Sequence, residues 1–102
     1  MELSVNQTQT SANFTITGEI DEQGAELLKS KFLSLDKSSI KNITLDFNHV
    51  THIGSAGIGK LLLFYKDVAI SGGEIQIVNI SDEIYTLLLT LKLDSIFKLD
   101  KA

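Results

Sequence analysis

The sequence predicts a single α/β domain built on a mixed β-sheet, and three observations carry that prediction. Segments in which apolar and polar residues alternate are interleaved with segments whose apolar residues recur every three or four positions. The first two alternating segments follow one another across a short polar link, as the arms of a hairpin do. Each later alternating segment is instead preceded by a helical one, and strands separated by helices pair in parallel through right-handed crossovers. A chain of 102 residues holds one such domain, residues 1–102, and leaves no room for a second.

The elements follow in order. Leu3 to Gln9 and Asn13 to Glu19 alternate around Leu3, Val5, Phe14 and Ile16, with Thr10-Ser11-Ala12 between them, and read as an antiparallel hairpin. Asp21 can cap a first helix, with Glu22 in its first turn and Ala25, Leu28, Phe32 and Leu35 at helical spacing. Gly24 weakens its opening by roughly 1 kcal/mol relative to alanine, which burial of Leu28 and Phe32 has to offset. Ile43 to Phe47 is the central strand, followed by a connection through Asn48, His49, Val50, Thr51 and His52. A second helix spans Ser55 to about Ile70, with Ile58, Leu61, Leu62, Tyr65 and Val68 as its apolar stripe. Ser71-Gly72-Gly73 ends it with residues that tolerate left-handed dihedrals. Glu74 to Val78 is the next strand. Ser81 or Asp82 caps a third helix whose Ile84, Tyr85, Leu87, Leu88 and Leu91 read as core, and Ile96 to Leu99 closes the fold. The order is therefore β-β-α-β-α-β-α-β. No proline, repeat or low-complexity run marks an internal boundary.

Composition removes several classes of function. With 43% hydrophobic and 22% charged residues the chain is an ordinary globular one. Its net charge of −4 gives no basic field to attract nucleic acid. There is no cysteine, which excludes disulfides, thiolate metal sites and cysteine nucleophiles together. The longest apolar run, Leu61 to Tyr65, is far short of the ~20 residues that insert across a bilayer. The opening Met1 to Asn6 lacks the basic start and apolar core of an export signal, so a cytoplasmic protein is expected. Glu26, Lys29, Lys31, Asp36 and Lys37 read as solvated charge around the first helix and its exit.

The chemically interesting segment is Gly54-Ser55-Ala56-Gly57-Ile58-Gly59, a glycine-rich turn into the second helix. A serine at a helix start either caps it or presents a hydroxyl where unpaired N–H groups would stabilise an added phosphate. The glycines either keep the turn low enough for a partner to approach or serve packing alone. Gly54 and Gly59-Lys60 also stand at P-loop spacing, but Leu61 replaces the hydroxyl that binds magnesium, which leaves at most weak nucleotide contact. A serine-hydrolase elbow fails because Ile53 stands where a glycine is needed. His49 and His52 lack a third donor, so no metal is assigned. No cofactor and no catalytic residue is expected.

Gly18-Glu19-Ile20-Asp21, the run from Leu45 through Gly59, Ser71-Gly72-Gly73-Glu74-Ile75 and Leu91 to Phe97 together resemble the anti-sigma factor antagonist, or STAS, family over nearly the whole chain. The resemblance implies a bacterial regulatory binding protein, not an enzyme, acting in transcription control through partner switching. It places Ser55 at the serine phosphorylated by a partner that is both anti-sigma factor and serine kinase, with a serine phosphatase as a further candidate partner. It also implies a partner surface containing Asp21, Gly54, Ser55, Ala56, Gly57, Ile58 and Ser81. Two positions depart from the family pattern: Gly54 replaces the aspartate before the serine, and Ala56 the hydroxyl residue after it. The extra terminal helix of some members has no counterpart before Lys101-Ala102. The alternatives are an unmodified subunit of a larger signalling or transport complex, and a weak nucleotide-binding module. In either binding role, Gly18 to Glu22, Ile53 to Lys60 and Asn79 to Asp82 are expected to gather at the carboxyl edge of the parallel strands.

Overall fold

The computed structural model of the chain describes residues 1–36 and 39–102, so the expectation for Lys37 lies outside the described residues. Its elements are β1 (Glu2–Gln7), β2 (Ser11–Ile20), α1 (Glu22–Leu33), β3 (Asn42–Ile53), α2 (Ser55–Ile70), β4 (Glu74–Ile80), α3 (Asp82–Thr90), a 3-10 turn (Leu93–Ser95) and β5 (Lys98–Lys101). The predicted element order holds throughout. One five-stranded sheet has the strand order β1-β2-β3-β4-β5. Its first pair is antiparallel and the rest are parallel.

Register explains the layering. Val5, Phe14, Leu45, Ile77 and Leu99 are partners from strand to strand and form one apolar row across the whole sheet. The neighbouring row, Asn6, Asn13, Thr44, Gln76 and Lys98, is polar and points the other way. Right-handed crossovers between strands taken in unbroken order place every helix on one side. The result is two layers, with the core between the helices and the apolar sheet face and the polar face left open. Phe14, Ile16, Ile20, Leu28, Phe32, Phe47, Leu61 and Leu88 are fully buried there, and no polar or charged residue is buried among the described residues.

Three expectations need correction. Asn48 to His52 is not a connection, because β3 continues to Ile53. Thr15 pairs with Asp46 but Thr17 with His49, and Gly18 with Val50 but Glu19 with His52, so β3 twice spends an extra residue against β2. Such bulges turn the strand and break its alternation: Phe47, Val50 and Ile53 are buried at every third position. In α2 the buried residues are Gly57, Leu61, Phe64 and Val68, while Leu62 is 43% exposed. The cause is α1, whose Phe32 stacks on Phe64 with ring centroids 4.1 Å apart. In α3 only Ile84 and Leu88 are buried; Leu87 is 37% exposed, and Leu91, which lies just beyond the helix as its C-cap, is 45% exposed. Leu35 is buried as expected, but beyond the end of α1.

One backbone position near the end of β4 is left-handed. Asn79 has φ 57° and its Nδ2 donates to Asp46 Oδ1 at 3.1 Å, which fixes the bend that delivers the chain to α3. Asn79→Val should cost on the order of 1–2 kcal/mol in urea unfolding, because a β-branched residue is strained at positive φ, whereas Asn79→Gly should cost less. Equal losses for the two variants would show that the hydrogen bond, and not the dihedral, is what this position supplies.

Candidate functional site

The carboxyl edge of the sheet is built three times from one local pattern. Ile20, Ile53 and Ile80 are buried at the ends of β2, β3 and β4, and each is followed by the residue that starts a helix: Asp21, Gly54 and Ser81. The buried isoleucine holds the strand end against the core. The next residue stays extended and lets the chain turn into its helix. Because β2, β3 and β4 are neighbours, the three starts lie side by side, and Gly54 N–H donates to Ile20 C=O at 3.0 Å to join two of them directly.

The three starts differ in how their free N–H groups are met. Asp21 Oδ1 accepts from Gly24 N–H at 2.7 Å, and Ser81 Oγ accepts from Ile84 N–H at 3.4 Å. Gly54 has no side chain with which to do the same. The first turn of α1 contains Glu22 and that of α3 contains Asp82 and Glu83, but α2 has no acidic residue there. Ser55 is the first helical residue, not the cap. Its side chain is exposed and has no hydrogen bond among the described residues.

The glycines divide by role. A Cβ on Gly57 would come within 2.7 Å of Ile20 Cγ2 and 2.8 Å of Ile53 Cγ1, so this residue lets the first turn of α2 rest on two strand ends. Gly57 is buried, which corrects its assignment to the accessible surface of the turn. A Cβ on Gly59 would meet nothing within 4 Å and one on Gly54 only Ile20 O at 3.9 Å, so packing does not demand a glycine at either position. Ala56 and Ile58 are half-buried, with Ile58 packed against the core.

The residues of the two competing motifs have other neighbours. Lys60 Nζ lies 3.2 Å from Glu26 Oε1 on the α1 side, so it is engaged in holding the two helices together. His49 and His52 are exposed on β3, with His49 Nε2 3.3 Å from Asn48 Nδ2, and no set of metal-ligating side chains comes together among the described residues.

The sequence reading missed an apolar flank. Lys60 and Phe64 face α1, so Ser55, Ile58 and Leu62, spaced three and four residues apart, share the opposite flank, toward α3. Leu87 and Leu89 are exposed large apolar residues of α3, and Leu91, which caps its end, is exposed as well. The signal was present as an apolar stripe too wide for one helix face, and it was absorbed into the core.

Residues 2–102 match the sequence profile of the STAS domain. The chain belongs to the STAS domain family. Among its relatives is the anti-sigma-B factor antagonist of Bacillus subtilis (strain 168), 26% identical over 85 residues, or 83% of this chain and 77% of that one. This STAS domain also superposes on an anti-sigma factor antagonist from Mycobacterium paratuberculosis with a TM-score of 0.84, at 21% identity over 99% of this chain and 86% of that one. The anti-sigma factor antagonist SpoIIAA gives 0.80 in its unphosphorylated form, at 16% identity over 99% of this chain and 89% of that one. The phosphorylated form of the Bacillus protein gives 0.78, at 16% identity over 99% and 92%. No helix among the described residues is long and apolar enough to cross a membrane.

Gly57 and Gly59 separate packing from access within this STAS domain. Gly57→Ala should lower stability by about 1–3 kcal/mol in urea unfolding, since two core isoleucines must move. Gly59→Ala should raise it by roughly 0.5–1 kcal/mol, because the helix gains a better former in open space. A stable Gly57→Ala protein would mean that α2 does not need its close seat on Ile20 and Ile53.

Proposed function

We propose that this STAS domain is a cytoplasmic anti-sigma factor antagonist that changes partners when Ser55 is phosphorylated. The observation that supports the reading best is the start of α2: a serine that is exposed and has no hydrogen bond among the described residues, on a helix with neither a side-chain cap nor a first-turn acid, unlike α1 and α3. A phosphate on Ser55 would lie beside free backbone N–H groups at the positive end of the helix dipole, where it is stabilised rather than disruptive. The fold should therefore tolerate the modification.

Partner affinity should not. Phosphorylation adds about −1.5 to −2 charge and a shell of bound water. Ser55 shares its flank with Ile58 and Leu62, so a partner that buries this apolar flank must desolvate the phosphate as it docks. The unmodified domain binds an anti-sigma factor that is also its serine kinase, the modified domain is released, and a serine phosphatase restores it. Asp21 and Ser81 serve this surface through the loops they cap, and Gly54, Ala56 and Ile58 through direct contact.

Ser55→Ala should fold with stability within about 0.5 kcal/mol of the parent, since no cap is lost, and should bind the partner constitutively. Ser55→Asp should fold and bind more weakly, though less weakly than the phosphoprotein, because a carboxylate carries roughly half the charge. Pull-down with intact-mass measurement identifies the partner and reads the phosphate in one experiment. Should Ser55→Asp bind as tightly as Ser55→Ala while no kinase labels Ser55, the domain is a constitutive subunit of a larger complex instead.

The two flanks of α2 give a second test. Ile58→Lys should weaken partner binding at least about tenfold by putting a charge on the docking flank. Lys60→Ala should leave the switch working, because Lys60 faces α1 and Glu26. The opposite ranking would move the interface to the α1 side.

A further inference from the structure

The two edges of the sheet are guarded unequally. β5 has four residues, of which Lys98, Asp100 and Lys101 are charged, and its register with β4 is broken between Ile77 and Ile80. Short length, charge and irregular pairing are what keep a strand edge from recruiting another chain. β1 has none of this protection. It pairs with β2 over six consecutive residues, from Glu2↔Thr17 to Gln7↔Ala12, without a shift, and contains no lysine or proline. Its other side has no neighbouring strand among the described residues, so a regular row of backbone N–H and C=O groups is open there.

The side chains are incomplete at the same place. Leu3 and Val5 stand opposite Ile16 and Phe14, which are fully buried, yet both are only half-buried themselves. α1 meets the β1 end of the sheet near its start, where a Cβ on Gly24 would come within 2.9 Å of Met1 Sδ. Leu27, about one turn further along α1 and on the flank away from Phe32, is 39% exposed. The apolar face therefore runs one strand beyond the helices that cover it.

What fits this edge is the same edge. When β1 is laid antiparallel on itself about a two-fold axis through Ser4, Leu3 falls opposite Val5 of the second copy, and Val5 opposite its Leu3, on the core face. On the open face Ser4 meets Ser4, and Glu2, the one charged residue of the strand, meets Asn6, whose amide can donate to the carboxylate. No like charges are opposed. Slipping the pairing by one residue would set Leu3 and Val5 against polar residues and lose the match.

We propose that β1 is a self-association surface, through which two copies of this chain pair antiparallel about Ser4 and join their sheets into one of ten strands. A two-fold contact of this kind occupies the open edge of both copies and closes, while the guarded β5 edges stop further growth. Ser55 follows β3, two strands in from the seam, so both Ser55 sites stay open. The contact is one strand wide, small against the roughly 1,200–2,000 Å² of a standard interface, so the dimer is weak, with Kd on the order of 100 μM. The inference does not rest on the reading of Ser55.

The test is sedimentation equilibrium of the chain from about 10 μM to about 1 mM, a range that brackets this affinity. The average mass should rise from one copy toward two and stop there, with concentration-dependent amide shifts centred on Glu2 to Gln7. Ser4 is exposed, so Ser4→Lys and Ser4→Glu should both fold normally, and each should weaken association about fivefold or more by opposing like charges. Their equimolar mixture should regain it, because the axis sets position 4 against itself. Leu63→Lys, at a 50% exposed position on the helix layer, should leave association unchanged. A mass fixed at one copy, growth beyond two, parent-like association by either Ser4 variant, no recovery in the mixture, or loss of association in Leu63→Lys would each overturn the proposal.

Discussion

Everything in this molecule depends on a sheet with a single apolar face. The row from Val5 through Phe14, Leu45 and Ile77 to Leu99 gives five strands one surface to bury, and the polar row beside it forbids a second helical layer. With helices confined to one side and strands taken in order, α1, α2 and α3 all start at the same edge. Neighbouring helix starts at one edge are what allow residues far apart in sequence, Asp21, Ser55 and Ser81, to share one rim.

Within that rim the chain assigns structure and exposure to different residues. Buried isoleucines anchor the strand ends, Asp21 and Ser81 close two helices with their own side chains, and Gly57 allows the third to sit low. None of these tasks falls on Ser55. A hydroxyl with no structural duty can change its chemistry without unfolding its surroundings, and for a small domain that is an important freedom.

Much of this was legible in the sequence because local chemistry decided it. The hairpin shows in the alternation of Leu3, Val5, Phe14 and Ile16, the cap of α1 in Asp21, and the end of α2 in Ser71-Gly72-Gly73. What stayed hidden depended on neighbours. The second half of β3 looked like a loop because its bulges against β2 replace a period of two with a period of three. Leu62 and Phe64 are equally apolar, and only the position of Phe32 decides which is buried. Ser55 resembled a cap because Gly54, which holds the cap position by backbone conformation alone, has no side chain to announce it.

The unbroken strand order has a further consequence, for how the chain acquires its shape. Every strand pairs with the strand just before it in sequence, so no pairing waits for a segment from the other end of the chain. Each pairing therefore closes no more than one hairpin or one β-α unit of chain, so the loop-closure entropy is met in successive steps rather than all at once. Growth can proceed from the β1–β2 hairpin outward, each β-α unit docking on an edge already in place. The rim around Ser55 is then completed stepwise, first by α1, then by α2, and finally by α3, whose start is tied down when Lys101 of β5 reaches Asp82 at 3.2 Å.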